Sequence, residues 1–197
     1  MGKIIGLTGG VGCGKSTVLG ILCENYCCMA LSTDEVSREQ MKPGGAVYRC
    51  VVETFGDAIL NGDGTVDRAK LAEIVFSDEG ALARLNALTH PAVTEFVLEQ
   101  VEKERRENRY ELLVVETALL IEGGYDKFCD EVWYVYAPEA DRRERLKKSR
   151  GYSEQNIYDL MARQRTEEEF FSVATHVIRN PNTATKEALL KNIKEIL

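Results

Sequence analysis

Between Lys3 and Thr17 an apolar run passes directly into Gly9-Gly10-Val11-Gly12-Cys13-Gly14-Lys15-Ser16, which matches G-x-x-x-x-G-K-[ST]. Few local patterns restrict a fold as strongly. Lys3 to Thr8 reads as a fully buried parallel strand, and a helix is expected from about Gly14 to Tyr26 with Val18, Leu19 and Leu22 on its packed side. Glycines allow successive backbone N–H groups to turn inward onto phosphate oxygens, and the helix N-terminus adds partial positive charge. The expected nucleotide-binding set is therefore Gly10, Val11, Gly12, Cys13, Gly14, Lys15, Ser16 and Thr17. Lys15 is placed to bridge the outer phosphates, Ser16 to offer its hydroxyl to Mg²⁺, and Thr17 to reach a phosphate from the first helical turn.

Strand-like runs recur at Cys28 to Thr33, Leu112 to Val115, Val132 to Tyr136 and His176 to Ile178, separated by helical patterns. That alternation predicts a three-layer α/β fold with a parallel central sheet, of the P-loop nucleoside-triphosphate hydrolase kind. At 197 residues one domain with insertions is expected. From Asp34 to about Arg109 the pattern is mostly helical, with breaks at Pro43-Gly44-Gly45, Asn61-Gly62-Asp63-Gly64 and His90-Pro91. Val93, Val97 and Val101 recur at helical spacing, so Pro91 is expected to open a long amphipathic helix and His90 to sit at its entry, bonded to nearby backbone. Thr166 with Glu169 fits a capping box, and Lys186 to Leu197 reads as a closing helix.

A phosphate loop does not distinguish a kinase from other nucleotide-hydrolysing proteins, so the acceptor side must decide. In a parallel sheet ligands gather at the carboxyl ends of the strands. Asp34, just beyond the second strand run, is placed there to accept a hydroxyl proton, an N-cap for the following helix being the alternative. Arg142, Arg143, Arg145, Lys147, Lys148 and Arg150 make a local basic segment in a chain whose net charge is −7. The acidic balance argues against broad contact with nucleic acid or anionic membrane, while a small anionic ligand can still use a local basic site.

No run reaches membrane-spanning length and the N-terminal sequence is not that of a signal peptide, so the cytosol is the expected compartment. The six cysteines are then expected as reduced thiols, and Cys23, Cys27 and Cys28 as buried or incidental ones rather than metal ligands. Cys13 lies in an electropositive loop that favours thiolate, so alkylation at Cys13 is expected to block ATP and bound ATP to protect it. A small side chain filling a variable loop position is the alternative.

The chain resembles the dephospho-CoA kinase family over nearly its whole length. The likeness rests on Leu7-Thr8-Gly9-Gly10, Asp34 with Arg38, Phe55-Gly56, Asp63-Gly64, Leu85-Asn86 with His90-Pro91, Leu119-Leu120 with Glu122, Arg145-Leu146, Gln164 and Asn180. The resemblance implies ATP- and Mg²⁺-dependent phosphorylation of the ribose 3′-hydroxyl of dephospho-CoA. It also implies a core of about 1–33, 110–137 and 170–197, a helical acceptor-binding insert of about 34–109 and a helical lid of about 138–169. On that pattern Asp34 is the general base, Lys15 assists catalysis, Arg145 is the lid contact to ATP phosphates, and Ser16 and Glu116 attend the metal. Ser32, Glu116, Ala118 and Ser149 depart from the family pattern, as do Thr175, His176 and Arg179. The rival readings are another small-molecule kinase acting on a nucleoside or nucleotide, and a non-catalytic ATP-binding switch.

Overall fold

The computed structural model describes residues 2–197. Five strands, β1 (Lys3–Thr8), β2 (Cys28–Ser32), β3 (Leu112–Glu116), β4 (Glu131–Tyr136) and β5 (His176–Arg179), form one sheet in the order β2-β3-β1-β4-β5. β1 lies at the centre, parallel to β3 and β4, with Leu7 opposite Glu116 and Thr8 opposite Tyr134. A strand flanked and covered in this way exposes neither face to water. Its sequence therefore has no polar alternation, as the continuous run Ile4 to Leu7 shows.

Ile5, Leu7, Trp133 and Val135 pack with Val18, Ile21 and Leu22 of α1 (Lys15–Asn25) and with Leu189 and Ile193 of α9 (Lys186–Ile196). Trp133 is fully buried, yet its indole N–H is satisfied by Glu131 Oε2 at 2.8 Å. Truncating it to alanine would cost about 3–5 kcal/mol. On the opposite face Tyr134 stacks on Phe170 of α8 (Glu167–Val173), with ring centroids 5.0 Å apart. The predicted capping box opens α8: Thr166 N–H donates to Glu169 Oε2 at 2.8 Å and Glu169 N–H to Thr166 Oγ1 at 3.3 Å. Between β4 and α8 lie α6 (Glu139–Arg150) and α7 (Glu154–Ala162), both within the stretch of about 138–169 for which helical structure is expected from the sequence.

The chain forms two compact units, one from the N-terminal residues through Leu31 together with Glu104–Leu197, the other Ser32–Lys103. The second is helical, with α2 (Thr33–Gln40), α3 (Tyr48–Phe55), α4 (Arg68–Ser77) and most of α5 (Glu79–Glu107). Its own core gathers Val47, Val51, Ile59, Leu71, Val75 and Ala81. The breaks at Pro43-Gly44-Gly45 and Asn61-Gly62-Asp63-Gly64 are real. Asp63 closes the latter turn by accepting from the N–H and hydroxyl of Thr65, bonds that hold its carboxyl below the usual aspartate range.

The break expected at His90-Pro91 does not occur. Pro91 lies inside α5, which runs without interruption from Glu79 to Glu107. His90 is therefore an exposed mid-helix residue, not a corner. Proline removes one helical hydrogen bond and crowds the preceding turn. Burial outweighs that local cost: Ala81 lies in the unit's core, Leu85 and Leu88 pack against it, and Val93, Val97 and Val101 are buried beyond the proline.

Candidate active site

The phosphate loop runs from the end of β1 to the start of α1, and its conformation has visible causes. Gly12 adopts φ 78°, and a Cβ there would come within 2.9 Å of the Arg142 carbonyl oxygen. Gly14, at φ 92°, caps α1, and a Cβ there would lie 2.2 Å from Asn180 Nδ2. Only glycine combines positive φ with so close an approach. Lys15, Ser16 and Thr17 then form the first turn of α1, Ser16 and Thr17 with exposed side chains.

A loop that turns its N–H groups toward a ligand must direct its carbonyl oxygens elsewhere, and each of those needs a donor. Here the donors are specific. Lys15 Nζ donates to the Gly9 oxygen at 2.8 Å and Arg142 Nε to the Val11 oxygen at 2.9 Å. Arg145 Nη1 donates to the oxygens of Gly12 at 3.2 Å and Cys13 at 3.1 Å. Asn180 Nδ2 adds a further bond to the Cys13 oxygen at 2.9 Å. The guanidinium of Arg145 is also bonded through Nη2 to the Asn180 oxygen and through Nε to Asn182 Oδ1, both at 2.8 Å. Asn182 in turn is held by Asp141 and Glu144 of α6, each at 2.7 Å. The polar face of α6 and the segment after β5 thus grip the loop from behind.

This geometry divides the basic segment. Arg142 and Arg145, three positions apart on α6, face the loop, whereas Arg143 pairs with Glu139 at 2.7 Å and Lys147 with Glu154. The Val11 N–H is bonded to Gln164 Oε1 at 3.0 Å. Arg142, Gln164, Asn180 and Asn182 carried no assigned role at the sequence level. The available signals were the place of Gln164 and Asn180 in the family pattern and the i, i+3 spacing of Arg142 and Arg145, which puts both on one helix face.

Cys13 differs from expectation. Its side chain is 1% exposed and packs in the core with Ile5, Leu7 and Val18, so only its backbone faces the loop. Burial shuts its sulfur away from reagents, and the side-chain-filling alternative is the one observed. Cys23 and Cys27 are exposed rather than buried, and Cys23 Sγ lies 3.6 Å from Cys28 Sγ. Burial, then the shared hydrogen bond with Cys23, push the Cys28 thiol up to about 12, which keeps it protonated at neutral pH. Among the described residues no group of three metal-ligating side chains gathers, at these cysteines or elsewhere.

Asp34 is the exposed second residue of α2. The helix N-cap is Ser32, so Asp34 is not a cap. Glu116 is the last residue of β3, beside Leu7 of β1, which puts its carboxyl group at the same end of the sheet from which the loop departs. Ser16 and Glu116 provide hydroxyl and carboxylate oxygens, the hard donors that suit Mg²⁺.

A family model described as dephospho-CoA kinase matches residues 3–186. A dephospho-CoA kinase of Geobacter sulfurreducens is 38% identical over 194 residues, covering 98% of this chain and 96% of its own length. One from Carboxydothermus hydrogenoformans is 37% identical over 189 residues, covering 95% of this chain and 91% of its own. Among solved structures, a dephospho-CoA kinase from Campylobacter jejuni aligns with a TM-score of 0.72 at 25% identity, covering 100% of this chain and 98% of that one. A shikimate kinase from Acinetobacter baumannii, with a TM-score of 0.57 at 20% identity, shares the fold alone and covers 100% of this chain and 93% of its own.

Proposed function

The chain belongs to the dephospho-CoA kinase family, and we propose how its residues divide the transfer of a phosphoryl group from ATP to the ribose 3′-hydroxyl of dephospho-CoA. The observation that carries the reading is the hydrogen-bonded backing of the phosphate loop. With the carbonyl oxygens of Gly9, Val11, Gly12 and Cys13 all occupied, the loop is ordered before ATP arrives. A preordered cradle stabilises the transferring group without reorganisation at the moment of reaction.

In this reading the N–H groups of Gly12, Gly14, Lys15 and Ser16 surround the phosphates, those of Val11, Cys13 and Thr17 being bonded to Gln164, Gly10 and Gly14, and Lys15 exchanges the Gly9 oxygen for the outer phosphates. Arg145 belongs to the ATP site, acting on the phosphates through the loop it holds. Ser16 and, through water, Glu116 would hold Mg²⁺, which supplies charge neutralisation on the phosphate oxygens. Asp34 accepts the proton of the 3′-hydroxyl, a role supported by its family position and by its not being needed as a helix cap. The helical unit Ser32–Lys103 is the proposed acceptor-binding part and residues 138–169 the proposed lid. Among the described residues no helix is long and apolar enough to cross a membrane, and the cysteines are unbridged, which favours work in the reducing cytosol.

The test is an acceptor screen on the purified protein with ATP. ADP release that requires dephospho-CoA, with the new phosphate on the 3′-oxygen, is the expected result. A preference for a nucleoside monophosphate as acceptor, or ATP binding with no turnover on any acceptor, would reject it.

A further inference from the structure

We infer that Gln164 and Arg142 act as one positioning pair for the phosphate loop, holding both ends of the Val11 residue. The inference rests on the reading of that loop as the ATP site. Gln164 Oε1 accepts from the Val11 N–H at 3.0 Å and from Arg142 Nη2, also at 3.0 Å. Arg142 Nε then donates to the Val11 oxygen at 2.9 Å. The three bonds close a ring in which a single amino acid of the loop is pinned at its donor and at its acceptor. The same guanidinium lies across Gly10, where a Cβ would come within 2.3 Å of Arg142 Nη2.

The elements that present the pair are themselves anchored. Arg142 lies in the first turns of α6, whose Asp141, Glu144 and Arg145 are bonded to the segment after β5. Gln164 lies between α7 and α8, its own N–H bonded to the Met161 oxygen at 3.1 Å. Immediately afterwards come the Thr166 capping box and the stacking of Phe170 on Tyr134. Gln164 therefore connects the α7–α8 junction to Val11, 153 positions earlier in the chain.

The consequence is thermodynamic. An unpinned Val11 would sample several backbone conformations, and ATP would have to select one, losing affinity by the ordering cost of about one residue. That corresponds to a loss on the order of tenfold. The acceptor meets the other side of the reaction and its affinity should be unaffected. The bonding also specifies what is required at position 164: an acceptor oxygen, with no role for the amide N–H₂.

The experiment compares Gln164→Met, Arg142→Met, the double variant and Gln164→Glu, measuring KM for ATP and for dephospho-CoA, direct ATP titration and thermal unfolding. Gln164→Met should raise KM for ATP on the order of tenfold and change KM for dephospho-CoA less than about twofold. The double variant should be no weaker than the weaker single one, because either change opens the same ring. Gln164→Glu keeps an acceptor oxygen facing Arg142 and Val11 and should stay within about threefold of the parent. Unchanged ATP affinity in Gln164→Met, multiplying effects in the double variant, equal losses for both substrates, or a Gln164→Glu as weak as Gln164→Met would each overturn the pair. Should Gln164→Met fail to fold, Arg142→Met and Gln164→Glu decide the matter in the same way. Turnover by the parent protein is the control: if it is present, a negative result rejects the pair and leaves the kinase assignment standing.

Discussion

Arg145 and Asn180 donate to the same oxygen, the carbonyl of Cys13, from Nη1 at 3.1 Å and Nδ2 at 2.9 Å. Asn180 is 6% exposed and its own carbonyl accepts from Arg145 Nη2, so the two side chains share one small polar cluster behind the loop. A planar guanidinium can reach the oxygens of Gly12, Cys13 and Asn180 together with Asn182; an ammonium cannot.

Arg145→Lys should accordingly raise KM for ATP roughly tenfold and lower folding stability by about 1–3 kcal/mol, the cost of leaving partly buried carbonyls unsatisfied. Steady-state kinetics and urea unfolding check both. A variant with parental ATP affinity would show that the loop holds its shape without the guanidinium.

Asp34→Asn tests the proposed base. The amide keeps shape and size but cannot take a proton, so kcat should fall by about 10²–10⁴ while ATP affinity stays within about threefold. Retained turnover would exclude Asp34 as the base, and loss of ATP binding would show that it serves the nucleotide instead.

Thiol labelling checks the burial of Cys13. In the folded protein iodoacetamide should modify Cys23, Cys27 and Cys50, which are exposed, and leave Cys13 unmodified with or without ATP. Peptide mass spectrometry reads the sites. Rapid labelling of Cys13 that ATP prevents would restore the reactive-loop expectation.

Acid stability should depend on Glu131. Its partial burial alone would raise the carboxyl pKa, but hydrogen bonds from Lys3 and Trp133 with the nearby charges of Lys3 and His176 bring it below its ordinary 4.5. A carboxyl whose folded pKa is lowered stabilises above its unfolded pKa and loses that contribution as pH falls through the folded value. Glu131→Gln should thus be less stable than the parent at pH 7, on the order of 1 kcal/mol, with the difference shrinking as the pH falls below about 4.5. Urea midpoints at several pH values test this, and a constant difference would refute it.

Much of the fold was legible because its signals are local. Lys3–Thr8 was bounded correctly because a central strand has a continuous apolar run, and the α8 cap because Thr166 and Glu169 stand at capping-box spacing. His90-Pro91 misled for the complementary reason. A proline's local cost is visible in sequence, but the buried residues on both sides of it that keep α5 continuous are not visible as burial until the chain has packed.

The phosphate loop shows the same division within a single site. Sequence alone marked Gly9 to Ser16 as a phosphate-loop motif, because glycines, lysine and hydroxyl at fixed spacing between a strand and a helix act within one short segment. Tertiary structure decided what holds that segment in shape. Asn180 reaches Cys13 across 167 positions and Gln164 reaches Val11 across 153, distances over which spacing carries no information. It also decided that Cys13 turns its thiol into the core and its carbonyl toward Arg145, since the direction of a side chain depends on the neighbours that folding brings to it.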